Sequence, residues 1–255
     1  MGDIELKRVI PVLTIIGDKL VKTVRFKQPN YIGDPINAVK IFNDKEVDEV
    51  ILLDIMASKL GQEPNYDKIE EICSEAFMPF AYGGGIKNMD HVDRLFKLGI
   101  EKVVLNSILT RDLNLVATIA DKYGAQSVVA SVDVKKNLFG TYQAYTNSGK
   151  KKVKEDLYLY LNTVLNSGIG ELFLNCIDRD GTFSGYDLDL IKKITPLSLV
   201  PVIVGGGAKS LSDFNQAIKN GASAVGASSM FVYRGPKKGI MINYPSQIEL
   251  RTEFY

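Results

Sequence analysis

The chain has one histidine, two cysteines and no tryptophan among its 255 residues. A single imidazole, His91, excludes His-pair metal motifs and any mechanism that needs two imidazoles. It falls early in a predicted surface helix, where a solvated residue with no special role is expected. Acid–base chemistry is left mainly to carboxylates, and neither a metal nor a cofactor is expected. Cys73 and Cys176 are too few for a disulfide framework, which fits a reducing cytoplasm. Cys176 has no histidine partner in view and reads as a small packed residue, not a nucleophile. No apolar run approaches the roughly 18 residues that cross a bilayer, and Val9–Ile16, interrupted by Pro11, is too short for a signal peptide. Leu6 stands where a myristoylation signal would have Ser or Thr. An excess of one charge is also missing. Lys+Arg number 31 against 30 Asp+Glu, so neither nucleic acid nor an anionic membrane is an expected partner.

What the sequence does contain is a glycine triplet, twice. Pro79–Ile86 reads PFAYGGGI and Pro201–Ala208 reads PVIVGGGA, with Gly83 and Gly205 122 residues apart. The spacing persists downstream. Asn88 and Ser210 are candidate helix N-caps, Gly99 and Gly221 candidate helix stops, and Asn106-Ser107 corresponds to Ser228-Ser229. Each copy reads as strand, glycine turn, capped helix, stop, strand, small polar pair. Glycines after a short apolar strand can place bare backbone N–H groups around an anion. Two copies imply a chain built from two halves, with two anion sites.

The remaining apolar runs fall into the same rhythm. Arg8–Ile16 is the pattern of a strand buried on both faces, followed by a polar connection, Gly17–Gly33. Glu49–Ile55, Lys102–Asn106, Ser127–Val134, Glu171–Asn175 and Ala222–Gly226 are further strands, separated by helical segments. Thr141–Thr146 alternates and predicts a small hairpin near Gly140. Eight strand–helix alternations with no linker predict one closed α/β domain over residues 1–255, a (β/α)8 TIM barrel with a two-fold half-barrel repeat. An open doubly wound sheet is the runner-up. From about residue 232 the tail departs from the repeat, and Pro245-Ser246 is placed to open a last short helix.

Sites in such barrels lie at the C-terminal strand ends. The glycine turns with Gly84, Gly85, Gly206 and Gly207, each beside Asn106 or Ser228, form two candidate phosphate cradles near helix N-termini. The plainer alternative is that these glycines only make tight turns. A bisphosphate could lie between the cradles, with Lys22, Asp54 and Asn175 as further substrate contacts. Asp133, Asp178 and Asp180 are strand-end carboxylates able to act as general acid or base. The two in the DRDGT turn fit a cap or turn role as well.

RVIPVL, LLDI, GGGI, EKVVLN, SVDVK, YTNSGKK, LNCIDRDGTFSGYD and VGGGA, in this order and spacing, resemble the cyclase subunit of imidazole glycerol phosphate synthase from Lys7 to Phe231. The resemblance implies a barrel that takes ammonia from a glutaminase docked at its lower face. It also implies ammonia transfer through the barrel centre to a bisphosphorylated ribonucleotide. It assigns the cyclase chemistry to aspartates ending strands one and five, and the corresponding residues here are Thr14 and Asp133. A threonine hydroxyl has no proton that titrates near neutrality, so ordinary cyclase turnover is not expected. Asn175 and Met56 also stand where the family usually has Thr. At the strand starts, Arg8, Glu49, Lys102 and Glu171 match the charged ring that gates ammonia in the family.

The tail, SSMFVYRGPKKGIMINYPSQIEL, is similar to a paralogous branch associated with sugar amidation in surface-polysaccharide synthesis. The expected partners are thus a glutaminase and a sugar amidotransferase, and the expected ligand is a phosphorylated small molecule. A histidine-pathway cyclase, a non-catalytic ammonia conduit and a related bisphosphate isomerase remain the alternative readings.

Overall fold

A computed structural model describes residues 7–254. Eight parallel strands alternate with helices and close on themselves: β1 (Arg8–Ile16), β2 (Val50–Asp54), β3 (Phe80–Gly83), β4 (Lys102–Leu105), β5 (Val128–Lys136), β6 (Glu171–Cys176), β7 (Val202–Gly205) and β8 (Ala224–Ala227). Each pairs with the next, and Arg8–Pro11 of β1 pairs with Ala224–Ala227 of β8. The chain is a (β/α)8 barrel, and the open-sheet alternative is excluded by that closing pair.

Strand side chains alternate between two cores, as period-2 geometry requires. One set, with Val9, Leu13, Leu52, Tyr82 and Val128, packs under the surrounding helices. The other, with Ile10, Ile51, Ala81, Val104, Val129, Phe173, Ile203 and Ala224, fills the barrel interior. Phe173 is the bulkiest member of the inner set and lies against Gly205, where a Cβ would stand 2.7 Å from its ring.

The helices are held by local signals. Asp34 caps α1 (Pro35–Asp44), which opens on Pro35. Asn65 caps α2 (Tyr66–Cys73), and Asn88 caps α3 (Met89–Lys97) through the His91 amide. Beyond α4 (Asn114–Tyr123), Asp156 caps α5 (Leu157–Leu165) and Asp187 caps α6 (Leu188–Ile194). A Ser210–Asp213 capping box starts α7 (Leu211–Lys219). Gly99 and Gly221 follow α3 and α7 with φ of +96° and +104°, the left-handed region where glycine alone is unstrained. Two corresponding residue pairs downstream of the triplets share backbone geometry, although the triplet glycines differ, with φ of +135° at Gly84 against +92° at Gly206. Asn88 and Ser210 have φ, ψ of −156°, 174° and −153°, 163°, and Asn106 and Ser228 have −130°, −77° and −125°, −71°.

Two additions sit on the strand-end rim. The polar connection after β1 is in fact a β-hairpin, Lys19–Val24 paired antiparallel with Lys27–Gly33 and with the end of β1. Strand β5 also runs past the rim and pairs antiparallel with Tyr142–Thr146. In the tail, Tyr233–Arg234 pairs with Gly239–Ile240, and Ser246 caps α8 (Gln247–Glu253) through a box with Glu249. Tyr244 donates to the Val9 carbonyl at 2.9 Å, fastening the tail to β1.

Candidate functional site

The strand ends surround a cavity lined from all eight strands or the turns after them. Thr14, Lys22, Asp54, Gly84, Gly85, Asn106, Asp133, Asn175, Asp180, Gly206, Gly207 and Ser228 all line it. Asp178 does not. Its carboxylate turns away and accepts the Lys136 N–H at 2.8 Å, so it staples β5 to the connection after β6. The catalytic role expected of Asp178 is therefore corrected to a structural one, while Asp180, two residues on, faces the cavity.

Asp133 sits near the centre, 7% exposed. Its two oxygens accept from Asn175 Nδ2 at 3.3 Å and Asn106 Nδ2 at 3.1 Å. Asn106 is itself oriented by a 2.9 Å bond to the Ser131 carbonyl. Burial pushes the Asp133 carboxyl from 3.8 up to about 7; the two amides oppose the shift and the nearby Asp180 charge adds to it. Neutral donors stabilise the carboxylate less than a cation would. The result is a carboxyl able to take or give a proton near neutrality.

Thr14 is placed at the same level, but its hydroxyl donates to the Val21 carbonyl at 2.5 Å. It is tied into the hairpin after β1. That hairpin folds over the mouth, and its buried Lys22 pairs with Asp180 at 2.7 and 3.0 Å. The Arg25 amide adds a 2.9 Å bond to the Asp180 carbonyl. The cation at Lys22 is thus already neutralised by Asp180.

The two glycine turns make close backbone approaches. At Gly84 (φ +135°) and Gly85 (φ +71°) a Cβ would stand 2.7 Å from the Asp54 and Gln62 carbonyl oxygens. At Gly206 and Gly207 it would strike the Cys176 and Gly185 carbonyls. Bare backbone is therefore required at both turns, and each lies beside the start of a short helix, Ser107–Thr110 or Ser229–Val232. Ser229 was not among the sequence candidates. It lines the cavity, and its buried Oγ has no hydrogen-bond partner among the described residues, as an anion ligand would require. Its pairing with Ser228 was the available signal.

Asp54 does more than line the wall. Its Oδ1 accepts the Met56 and Ala57 amides, both at 2.9 Å, capping the single helical turn Ala57–Leu60. His91 overturns its expected solvated role. It is 8% exposed, and Nδ1 lies 3.2 Å from the Gly85 carbonyl, so the imidazole braces the first glycine turn from behind. Cys176 is buried, its thiol pushed up to about 12 chiefly by burial, which fits a packed and unreactive side chain. Among the described residues no cluster of His, Cys, Asp and Glu could hold a metal ion, and no helix is long and apolar enough to cross a membrane.

At the opposite end, Arg8, Glu49, Lys102 and Glu171 meet in one closed ring. Arg8 Nη1 contacts Glu49 at 2.5 Å, and Nη2 contacts Glu171. Lys102 Nζ reaches Glu49 and Glu171, both at 3.0 Å. Burial alone would lower the Arg8 pKa, but Glu171 and Glu49 together raise it. Each charge touches two of opposite sign, so the ring neutralises itself across the barrel floor.

Comparison with known proteins agrees with the barrel fold. The family model described as "Histidine biosynthesis protein" matches residues 8–236. The chain is 48% identical over 240 residues to the protein provisionally named imidazole glycerol phosphate synthase subunit hisF2 of Pseudomonas aeruginosa, covering 94% of this chain and 96% of that one. It is 44% identical over 249 residues to a provisionally named subunit HisF of Leptospira borgpetersenii, covering 97% and 98%. Against the imidazole glycerol phosphate synthase subunit HisF of Streptomyces griseus it is 37% identical over 224 residues, covering 88% and 89%.

Proposed function

The chain belongs to the histidine biosynthesis protein family, and from that premise we propose that it is a synthase subunit whose ammonia comes from a glutaminase partner. In this reading the ammonia serves amidation of a sugar in surface-polysaccharide synthesis through a separate amidotransferase. The observation that carries the reading is Thr14. Where the family resemblance calls for a second aspartate, a hydroxyl is fixed to the Val21 carbonyl, leaving Asp133 without a carboxylate counterpart on β1. One residue titrating near neutrality can shuttle one proton, whereas ring closure as the resemblance describes it uses two such groups.

The charge ring supports entry of ammonia at the strand starts. Four mutually neutralised groups can part for a small neutral molecule without leaving a net charge behind. Phe77 and Leu199, 86% and 104% exposed, lie just before β3 and β7 on that same end, a natural seat for a glutaminase. The two glycine cradles, with the Ser229 hydroxyl, suit a ligand carrying two phosphate groups. The backbone angles shared by Asn88 and Ser210 and by Asn106 and Ser228 support a barrel built from two halves. The cytoplasm is the compartment consistent with two free cysteines.

A second reading, a histidine-pathway cyclase, is favoured by one specific observation: Asp133, Lys22, Asp180 and both cradles are assembled around one cavity. The test supplies purified barrel with excess ammonium salt and the histidine-pathway bisphosphate, alongside Thr14→Asp. The expected outcome is no imidazole glycerol phosphate from the natural protein. Activity in Thr14→Asp alone would identify a retained pocket whose chemistry is switched off at position 14. Turnover by the natural protein would make it a cyclase and defeat the sugar-amidation reading.

A further inference from the structure

Strand β5 projects beyond the barrel rim, and Leu138 and Phe139 at the tip of its hairpin are 101% and 92% exposed. The tip is built, not loose. Asn137 Oδ1 accepts the amides of Phe139 at 2.9 Å and Thr141 at 3.0 Å, and Gly140 turns the chain with φ +78°. The stalk is fixed to the connection after β6 by the Lys136 amide bond to Asp178 and by Tyr142 Oη donating to Asp187 at 2.8 Å. At its other end the same element reaches over the mouth. The Asn147 amide donates to Ser107 Oγ at 3.1 Å, Ser148 Oγ donates to the Ile55 carbonyl at 2.6 Å, and Ser148 lines the cavity.

Charge is concentrated on this element. Residues 135–154 hold six lysines and no acidic residue, so the rest of the chain has 25 basic residues against 30 acidic ones. Lys150, Lys151, Lys152 and Lys154 are exposed, while Lys136 is drawn to Asp187 at 3.6 Å. An ordered apolar pair at the tip and the exposed Lys150, Lys151, Lys152 and Lys154 at the mouth end, beside Tyr145 and Thr146, make two parts of an anchored, electrostatically steered protein contact.

We propose that this hairpin docks an enzyme whose surface offers an apolar recess to the tip and acidic residues to the lysines at the mouth end, seating it over the strand-end mouth. The inference rests on the reading that nitrogen leaves this barrel for a separate acceptor enzyme, and it names the face that enzyme engages. A protein fits better than a membrane. Two side chains suffice to fill a recess in a protein, whereas a lipid surface is held by a broad apolar face.

The test places p-benzoylphenylalanine at position 139 in cells that make the full complex, cross-links by light and identifies the adduct by mass. The expected adduct is an acidic enzyme that consumes ammonia delivered by this barrel, and the adduct disappears when Lys150, Lys151 and Lys152 are together changed to Glu. With that enzyme purified, Leu138→Ser with Phe139→Ser weakens its binding at least about tenfold, with the melting temperature and glutaminase binding unchanged. No adduct, or an adduct with the glutaminase, with a second copy of the chain or with an enzyme that takes no ammonia, overturns the proposal. So does co-sedimentation of the barrel with phosphatidylglycerol-containing vesicles that the same double substitution abolishes. Cyclase turnover by the isolated barrel would defeat the underlying reading through a separate assay, so the two failures are distinguishable.

Discussion

The barrel's two ends handle buried charge in opposite ways. At the strand starts, two cations and two carboxylates meet, and every one has two partners of opposite sign. At the strand ends, Lys22 and Asp180 pair off, while Asp133 accepts from two neutral amides. The first arrangement leaves no member of the ring without a partner, and its two carboxylates hold Arg8 above its ordinary value. The second leaves one proton free to move near neutrality, because amide dipoles only partly offset the loss of water. Full neutralisation closes the floor without a reactive group, and partial neutralisation gives a reactive group.

The largest effect expected from breaking this contrast is at Asp133. Asp133→Asn should lower formation of the aminated product by about 10²–10⁴-fold, read as glutamine-dependent product in the reconstituted complex. Unchanged product would favour the pure conduit. The same substitution has a pH signature. Because the folded-state carboxyl is raised from 3.8 to about 7, the folded protein holds this proton more tightly than the unfolded chain. Its stabilising contribution is complete below the ordinary aspartate value and is lost as pH rises through about 7. The melting temperature of Asp133→Asn should therefore fall less over that window than that of the natural protein.

Next in size is the ring. Glu49→Ala leaves Arg8 and Lys102 sharing one carboxylate, and removing one partner of a buried pair costs about 3 kcal/mol or more, measurable by denaturant unfolding. Lys102→Ala and Glu171→Ala should alter the coupling of glutamine hydrolysis to ammonia use. Unchanged coupling in both would reduce the ring to a structural plug. Smaller again is Gly207→Ala. With φ +109° and a Cβ directed at the Gly185 carbonyl, it should cost more than about 1 kcal/mol and weaken inorganic phosphate binding. Gly99→Ala, also left-handed but facing open space, should cost stability without touching phosphate.

How much of this was legible beforehand follows the range of the interactions. The eight strands announced themselves as apolar runs ended by glycine or small polar residues, and caps such as Asn88 and Ser246 were readable because they act within three residues. The ring was legible only as a resemblance, since no local pattern brings position 8 to position 171. The hairpin after β1 was missed because its turn is made by Arg25 and Phe26 with φ of +51° and +58°, where glycine or asparagine is the usual signal. Asp178 and Asp180 are two residues apart in one turn, and only the turn's geometry separates a staple from a cavity carboxylate. His91 was misjudged for a similar reason. The first turn of α3 leans on the glycine loop before it, so a residue predicted on the surface faces the Gly85 carbonyl.

The smallest expected effect lies at Thr14, and it sharpens the comparison most finely. Thr14→Val keeps the shape and removes only the bond to the Val21 carbonyl. Loss of one such bond should cost about 1 kcal/mol by denaturant unfolding. If that hydroxyl serves only to tie the hairpin to β1, product formation in the reconstituted complex should remain within about twofold of the natural protein, well short of the change expected for an acid–base group. A loss of product approaching that of Asp133→Asn would mean the hydroxyl works on the ligand itself, and the strand-end site would then hold two working groups where the geometry gives one.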